Sequence, residues 1–128
     1  MVSILLVDDD VSTLGILEGF LEDHGYAVTT ARNGIDALKI LNTRSFDLMI
    51  TDILMPDVDG YEVIANAKIK RNCPHIIAIS GGGSGADKEK LLATAGKLGA
   101  VKTFLKPIDV VELVNYIKYE LELKLPAV

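Results

Sequence analysis

Short apolar runs alternate with longer stretches of helical periodicity along the whole chain. Residues 4–7, 48–50, 76–79 and 104–105 form apolar runs bounded by polar, Gly or Pro residues, which is typical of parallel strands buried on both faces. Between them, apolar residues recur at helical spacing, as at Leu14, Leu17 and Leu21. A weaker run at 27–30 predicts an edge strand. The pattern predicts five β/α units.

Alternating strands and helices favour an α/β fold with helices on both faces of a parallel sheet. Because crossovers between parallel strands are right-handed, we expect a flavodoxin-like, doubly wound (βα)5 domain whose five strands run in the order 2-1-3-4-5. The sequence contains no internal repeat and no linker of domain-separating length, and the glycine-rich residues 80–85 predict a loop. In such folds, ligands bind at the carboxyl ends of the strands.

Polar side chains follow four of the predicted strands, and all of them should meet at that rim. They are Asp8, Asp9, Asp10, Asp52, Ser80 and Lys106. Helix N-capping by Asp10 or Ser12 accounts for part of the first cluster. It does not account for the remaining carboxylates, because two of them about 4 Å apart repel by roughly 4 kcal/mol at an effective dielectric constant of 20. A hard divalent cation such as Mg²⁺, assisted by Lys106, would compensate for this repulsion.

Composition and charge narrow the class of protein. The chain has 128 residues, 49% hydrophobic and 24% charged, as expected for one globular domain with a real core. A net charge of −5 disfavours nucleic acid and anionic membranes as partners. Cys73 is the single cysteine, so no intrachain disulfide can form, and the start of the chain predicts neither a signal peptide nor a transmembrane span. These features favour a cytoplasmic protein.

Four sequence segments resemble the signatures of the response-regulator receiver domain of two-component signalling systems, including chemotaxis regulators. They are LLVDDD, MITDILMPDVDG, AISGG and FLKP, in the family's order and across nearly the whole chain. By this resemblance, residues 1–125 form a receiver domain and residues 126–128 a C-terminal tail. We expect the last helix to end near Lys124, which leaves no room for an effector domain within this length.

The resemblance also implies a metal site and a phosphoacceptor. Asp52 corresponds to the phosphoacceptor, Asp8 and Asp9 to the acidic pair around the metal, and the backbone carbonyl of Leu54 to the remaining protein ligand. The implied cofactor is Mg²⁺, for which Mn²⁺ could substitute.

Two further residues correspond to groups that bind the phosphoryl group. Ser80 matches the hydroxyl residue that hydrogen-bonds it, and Lys106 matches the lysine that pairs with it. A carboxylate nucleophile flanked by these charges is suited to phosphoryl transfer from phosphohistidine.

The implied function is therefore that of a phosphoacceptor in a phosphorelay. The donor would be a sensor histidine kinase or a histidine phosphotransfer protein, and the domain would catalyse its own phosphorylation and dephosphorylation without being an enzyme in the usual sense. Its output would be a conformational change read by an unidentified downstream protein at the face formed by helix 4, strand 5 and helix 5.

One position departs from the family pattern. Receivers that switch through an aromatic residue carry it three positions before the lysine, where this chain has Thr103. Phe104 should point to the opposite face and pack in the core. Switching could instead order residues 81–87 as Ser80 moves toward the phosphoryl group. The departure also keeps open an alternative function, a receiver-like interaction module independent of phosphorylation.

Smaller features have structural interpretations. Gly81 suits both the small residue that the family needs next to the site and a mobile loop. Met55-Pro56 and Gly60 resemble the family's turn after the phosphorylated strand, and Lys106-Pro107 resembles a junction that is usually cis.

Two other phosphate-handling classes fit less well. Phosphatases of the haloacid dehalogenase type need a second Asp two residues after the nucleophile, where this chain has Leu54. Flavodoxins bind a flavin phosphate after the first strand, where three aspartates here would repel it.

Overall fold

The structure is a computed structural model that describes residues 1–81 and 85–122, with side chains in the fourth helix described from residue 89 onward. Strands and helices alternate in the predicted order. The strands are β1 Ser3–Val7, β2 Ala27–Ala31, β3 Leu48–Asp52, β4 His75–Ser80 and β5 Lys102–Leu105. The helices are α1 Val11–Asp23, α2 Gly34–Thr43, α3 Gly60–Lys68, α4 Gly85–Leu98 and α5 Val110–Tyr116.

All five strands form one parallel sheet in the order β2-β1-β3-β4-β5, which confirms the predicted topology. The weakest predicted strand, β2, lies at an edge, where four of its five residues are exposed or half-buried. By contrast, every residue of β3 is buried. The strand order reverses between β1 and β3, and this crevice is where a doubly wound sheet binds ligands.

Each face of the sheet carries its own apolar core. Leu5 and its neighbours pack against α2, α3 and α4, whereas Leu6 and its neighbours pack against α1 and α5. Successive strand residues serve opposite faces because side chains alternate along a strand. The resulting three-layer arrangement holds the carboxyl ends of all five strands at a single rim.

Four helices begin at an Asp or Asn whose side chain accepts a backbone N–H of the first turn. These N-caps are Asp10, Asn33, Asp59 and Asp109. Of the two cap residues considered for α1, the structure uses Asp10, which accepts from the Ser12 N–H at 3.1 Å and from the Thr13 hydroxyl at 2.8 Å. Such caps stabilise a helix by about 1 kcal/mol. Asp10 is thus engaged with its own helix.

Helix α5 continues directly into a π-helical turn, Ile117–Leu121. The Tyr26 hydroxyl donates to Glu122 Oε2 at 3.1 Å and ties the end of this turn to the start of β2. The predicted helix end near Lys124 and the tail 126–128 lie outside the described residues, as do residues 82–84 of the predicted loop. Among the described helices, none has the length and apolar character needed to cross a bilayer.

Candidate functional site

Lys106, Asp8 and Asp52 meet at the carboxyl rim of the sheet. Asp8 directly follows β1, Asp52 is the last residue of β3, and Lys106 directly follows β5. The Lys106 Nζ atom lies 2.7 Å from Asp8 Oδ2 and 3.2 Å from Asp52 Oδ2. Asp8 is fully buried and Asp52 is 5% exposed. One ammonium group therefore bridges two carboxylates that are withdrawn from water.

A third carboxylate completes an oxygen cluster. Asp9 is exposed, and one carboxylate oxygen from each of Asp8, Asp9 and Asp52 can be chosen so that all three lie within 4.8 Å of one another. At this separation a carboxylate pair repels by roughly 3–4 kcal/mol at an effective dielectric constant of 20. Lys106 supplies one positive charge against three negative ones. The donor set of carboxylate oxygens is the one that Mg²⁺ prefers.

Three buried oxygen atoms at the site have no hydrogen-bond partner within the described part of the chain, namely Asp8 Oδ2, Asp52 Oδ1 and Ser80 Oγ. Asp8 Oδ2 has the Lys106 ammonium group as an ion-pair partner, whereas Asp52 Oδ1 and Ser80 Oγ have neither kind of partner. The Asp8 carboxylate is better satisfied, since Oδ1 accepts from the Asp10 N–H at 2.9 Å and Oδ2 pairs with Lys106. Leaving a buried polar atom unpaired costs about 1–3 kcal/mol. The two unpaired oxygens mark where a cation or a phosphoryl group would gain most from binding.

Burial shapes the electrostatics of both charged partners. Desolvation and the adjacent Asp8 charge raise the pKa of Asp52 to about 6, against the opposing effect of Lys106. Burial alone would lower the pKa of Lys106, but its hydrogen bond with Asp8 and the charge of Asp52 outweigh that effect and raise it. Lys106 therefore stays protonated at neutral pH. The ionised form of Asp52 is therefore energetically unfavourable in this buried position, and a cation bound beside it would stabilise that form.

The segment after β3 carries Leu54, which lies two residues beyond Asp52 and is 42% exposed. The backbone immediately before Leu54 is held by Gly60, whose N–H donates to the Ile53 carbonyl at 2.8 Å. A Cβ atom at Gly60 would come within 2.6 Å of the Ile53 Cα and would clash with the Asp52 carbonyl oxygen. The expectation of a structural role for Gly60 is therefore supported by a specific contact behind the phosphoacceptor candidate.

Gly81 contributes to the site in a way that its sequence context did not indicate. A Cβ atom at Gly81 would lie 2.5 Å from the Lys106 Cβ and 2.7 Å from its Cδ. The stem of Lys106 thus passes directly over this glycine on its way to Asp8. The Lys106–Pro107 peptide bond is cis. The family resemblance predicts a small residue at this position, but the contact with the Lys106 side chain is visible only in the structure.

Thr103 and Phe104 lie as predicted for adjacent strand residues. Phe104 is 6% exposed and belongs to the core on the α1 and α5 side. Its ring packs edge-on against the Tyr116 ring, with 6.3 Å between the two ring centroids. Thr103 is half-buried and faces a cavity of about 380 Å³ between α4, β5 and α5. A small residue at this position therefore leaves open space where an aromatic side chain would fit.

Comparison with known proteins gives a consistent result. Residues 4–118 match the family model described as the response regulator receiver domain. A transcriptional regulatory protein of Haemophilus influenzae, a CpxR homolog, is 35% identical over 118 residues, which are 92% of this chain and 49% of that protein. The chain spans about half the length of the first curated relatives that it matches.

Solved structures of similar domains extend this comparison. The signal receiver domain of an HD domain-containing protein from Pseudomonas fluorescens is 30% identical with a TM-score of 0.82, covering 94% of each chain. The receiver domain of a sensor histidine kinase from Pseudomonas aeruginosa, with a magnesium ion coordinated in its active-site cleft, is 27% identical with a TM-score of 0.79. That likeness covers 91% of this chain and 94% of the other.

Accepting a phosphoryl group is the standard function of this family, so a phosphorylation-independent interaction module is not favoured. Receiver domains bind Mg²⁺ at an acidic cluster of the kind found here, and they interact with histidine kinases or phosphotransfer proteins. The family model covers most of the chain, and the sheet has the predicted strand order. The acidic cluster lies at the carboxyl rim of this sheet, where a doubly wound fold binds its ligands. The chain belongs to the response regulator receiver domain family.

Proposed function

We propose that Asp52 is the phosphoacceptor of this receiver domain and that Asp8, Asp9, Lys106 and Ser80 serve the transfer to it. The observation that carries this proposal is the state of the Asp52 carboxylate. One oxygen is held by Lys106 at 3.2 Å, while the other is buried without a partner in the described part of the chain. A carboxylate fixed on one side and unsatisfied on the other is suited to forming a new bond.

The metal site would be formed by the carboxylates of Asp8, Asp9 and Asp52 and by the backbone carbonyl of Leu54. All four are oxygen donors, as Mg²⁺ requires, and Mn²⁺ accepts the same donors. When bound, the cation would supply charge neutralisation at the transferring phosphoryl group. The unpaired oxygen of Asp52 and the mutual repulsion of the carboxylates support this assignment.

The transfer itself uses the chain's own side chains. An Asp52 carboxylate oxygen attacks phosphorus and forms an acyl phosphate, while the phosphorus–nitrogen bond of the phosphohistidine donor breaks and its electron pair returns to the imidazole. Lys106 neutralises charge on the incoming group, and the Ser80 hydroxyl donates to one of its oxygens. The same site would hydrolyse the acyl phosphate slowly, when water attacks phosphorus and the Asp52 carboxylate leaves.

The output surface would be the face formed by α4, β5 and α5. Its cavity of about 380 Å³ is lined by Leu92, Thr103 and Leu105 among others, and Leu105 is 48% exposed. Ser80 ends β4 and pairs in register with Leu105 of β5, so a movement of Ser80 toward a phosphoryl group is transmitted directly to this face. Acetyl phosphate should therefore change amide exchange over residues 89–112 in the wild-type protein. Equal exchange with and without it would argue against this route.

Two broader expectations stay predictions. The receiver domain is proposed to cover residues 1–125, of which the family model matches 4–118. A cytoplasmic location rests on the single cysteine and on the donors with which the family interacts.

Intact-mass measurement after incubation with Mg²⁺ and acetyl phosphate tests the proposed function. We expect one phosphoryl group on the wild-type protein and none on Asp52→Asn, while Asp47→Asn, a matched loss of a carboxylate at the other end of β3, is labelled normally. Equal labelling of Asp52→Asn would refute the assignment.

A further inference from the structure

The end of the sheet opposite the carboxylate cluster carries a pocket of unusual charge. The pocket has a volume of about 150 Å³ and lies where α2 and α3 end and where β3 and β4 begin. Three cationic side chains line it, Arg44, Lys70 and Arg71, and no carboxylate is among its lining residues. The chain as a whole has a net charge of −5, so this local excess of positive charge runs against its composition.

None of these three cations forms an ion pair with a carboxylate in the described ranges 1–81 and 85–122. Asp47 is the acidic residue closest to Arg44 in sequence, and it does not line the pocket. Its Oδ2 atom instead accepts the Ser3 N–H at 2.9 Å and the Ser3 hydroxyl at 3.3 Å. The positive charges around the pocket are therefore not compensated by the nearby acidic group.

Two of the cations are held by contacts that leave their charge unneutralised. The Arg44 guanidinium lies over the Phe46 ring, with its Cζ 5.0 Å from the ring centroid. The Lys70 Nζ donates to Asn42 Oδ1, a neutral acceptor, at 2.7 Å. Such anchoring lowers the conformational entropy that a ligand would otherwise have to remove on binding.

Helix ends alone do not account for this arrangement. Cations are favoured near helix C-termini, but the effect falls off within the last turn. Lys70 and Arg71 lie beyond the end of α3 at Lys68. Arg44, the C-cap of α2, is placed as this effect favours, but Lys70 and Arg71 are not, and the three cations together leave a local excess of positive charge that a bound anion would neutralise.

We propose that this pocket binds a phosphate-class oxyanion. Guanidinium groups offer paired donors that match phosphate geometry, and the Ser45 and Asn72 side chains that also line the pocket can donate further hydrogen bonds. A pocket of about 150 Å³ is smaller than a typical drug-sized site, so it suits a single phosphate group.

The surroundings favour a phosphate monoester over the free ion. Ser45, Phe46, Asn72 and Pro74 also line a neighbouring cavity of about 740 Å³, which would hold the organic part of an ester. This second site is independent of the phosphoacceptor, because it lies at the opposite ends of the strands and shares no residue with the acidic cluster.

Amide chemical shifts measured by NMR test the proposal, with EDTA present and ionic strength held constant. Inorganic phosphate and phenyl phosphate are titrated separately into the full chain. We expect saturable shifts at residues 44–46 and 70–72, with a dissociation constant on the order of 1 mM. Comparable or tighter binding of phenyl phosphate assigns the site to esterified phosphate, and binding of inorganic phosphate alone assigns it to the free ion. Both results support an oxyanion site.

Matched variants separate specific binding from general charge effects. Arg44→Gln and Arg71→Gln should each weaken binding about tenfold. Lys90→Gln, which removes one positive charge from an exposed position on α4, should leave binding unchanged. The proposal is overturned by the absence of saturable shifts at 44–46 and 70–72, by shifts confined to the acidic cluster, or by equal weakening in Lys90→Gln. Thermal unfolding of each variant, expected to match the wild type because both arginines are exposed, verifies the fold.

Discussion

Gly81 lies so close to the side chain of Lys106 that a Cβ atom on the glycine would come within 2.5 Å of the lysine Cβ. The lysine in turn places its ammonium group 2.7 Å from Asp8 and 3.2 Å from Asp52. The absence of a side chain at Gly81 is therefore a condition for the ion-pair geometry. It explains in physical terms why a small residue follows Ser80.

Gly81→Ala should slow the labelling of Asp52 by acetyl phosphate, because the added methyl group displaces the stem of Lys106 and weakens its contact with both carboxylates. We expect a rate loss of about tenfold, as for an interaction worth about 1.4 kcal/mol in the transition state. The rate is followed by intact mass over time.

The control for Gly81→Ala is a glycine with open space around it. A Cβ atom added at Gly19 on α1 would meet no atom within 4 Å other than the adjacent backbone of its own helix, so Gly19→Ala should leave the rate unchanged. If Gly81 acts through Lys106, the double variant with Lys106→Ala should label no more slowly than Lys106→Ala alone. Additive losses would place the effect of Gly81 elsewhere.

Gly60→Ala should lower the free energy of unfolding by about 1–3 kcal/mol, because its methyl group would overlap backbone atoms of Asp52 and Ile53 that cannot move independently of β3. Denaturation by urea measures the loss. In Gly19→Ala the same substitution at an open helix position should raise stability slightly through helix propensity. Unchanged stability in Gly60→Ala would mean that the turn after β3 relaxes freely.

Asp52→Asn should stabilise the metal-free protein at neutral pH. The pKa of Asp52 is raised to about 6 in the folded state from 3.8, so the folded carboxylate binds its proton more tightly than the unfolded one. The charged form therefore costs stability in full above about pH 6, and the cost fades as the pH falls to about 4, where the folded carboxyl is protonated and the unfolded one is about half protonated. The gain from removing it is on the order of 1–3 kcal/mol at pH 7.

Urea denaturation in EDTA at about pH 7 and about pH 4 tests this sign. The difference between Asp52→Asn and wild type should shrink at the lower pH. A difference that grows as the pH falls would contradict the raised pKa of Asp52.

Mg²⁺ should raise the melting temperature of the wild-type protein, because it binds the folded acidic cluster and relieves carboxylate repulsion. Asp9→Asn removes one oxygen charge without disturbing the buried pair, so it should weaken Mg²⁺ binding about tenfold in a thermal-shift titration. Mn²⁺ should follow the same pattern. Asp23→Asn, an exposed charge at the far end of α1, serves as the control and should bind as the wild type does. Equal weakening in both variants would indicate only a general charge effect.

The fold could be predicted from the alternation of strand and helix patterns, and the location of the site could be predicted from the polar residues at the strand ends. Alternation of apolar runs and helical spacing is a local property, and right-handed crossovers leave few topologies. Once the strands are parallel, Asp8, Asp52 and Lys106 must meet at one rim, and the structure places them there. The role of each residue in phosphoryl transfer stays a proposal that chemistry must test.

Features that depend on tertiary placement could not be predicted in this way. The contact of Gly81 with Lys106 joins two loops, and its signal in the sequence is a single glycine beside other glycines. The pocket around Arg44 and Arg71 forms where two helices end next to each other, and no motif links the two segments. The raised pKa of Asp52 results from burial next to Asp8, which residue type alone does not reveal.

Chemical trapping of the phosphorylated residue tests the central claim most directly. Borohydride reduces an aspartyl phosphate to homoserine, and peptide mass spectrometry then locates the converted position. After incubation with Mg²⁺ and acetyl phosphate, the account predicts homoserine at position 52 in the wild-type protein and at no position in protein incubated without acetyl phosphate. Conversion at Asp8, Asp9 or another carboxylate, with Asp52 intact, would contradict it.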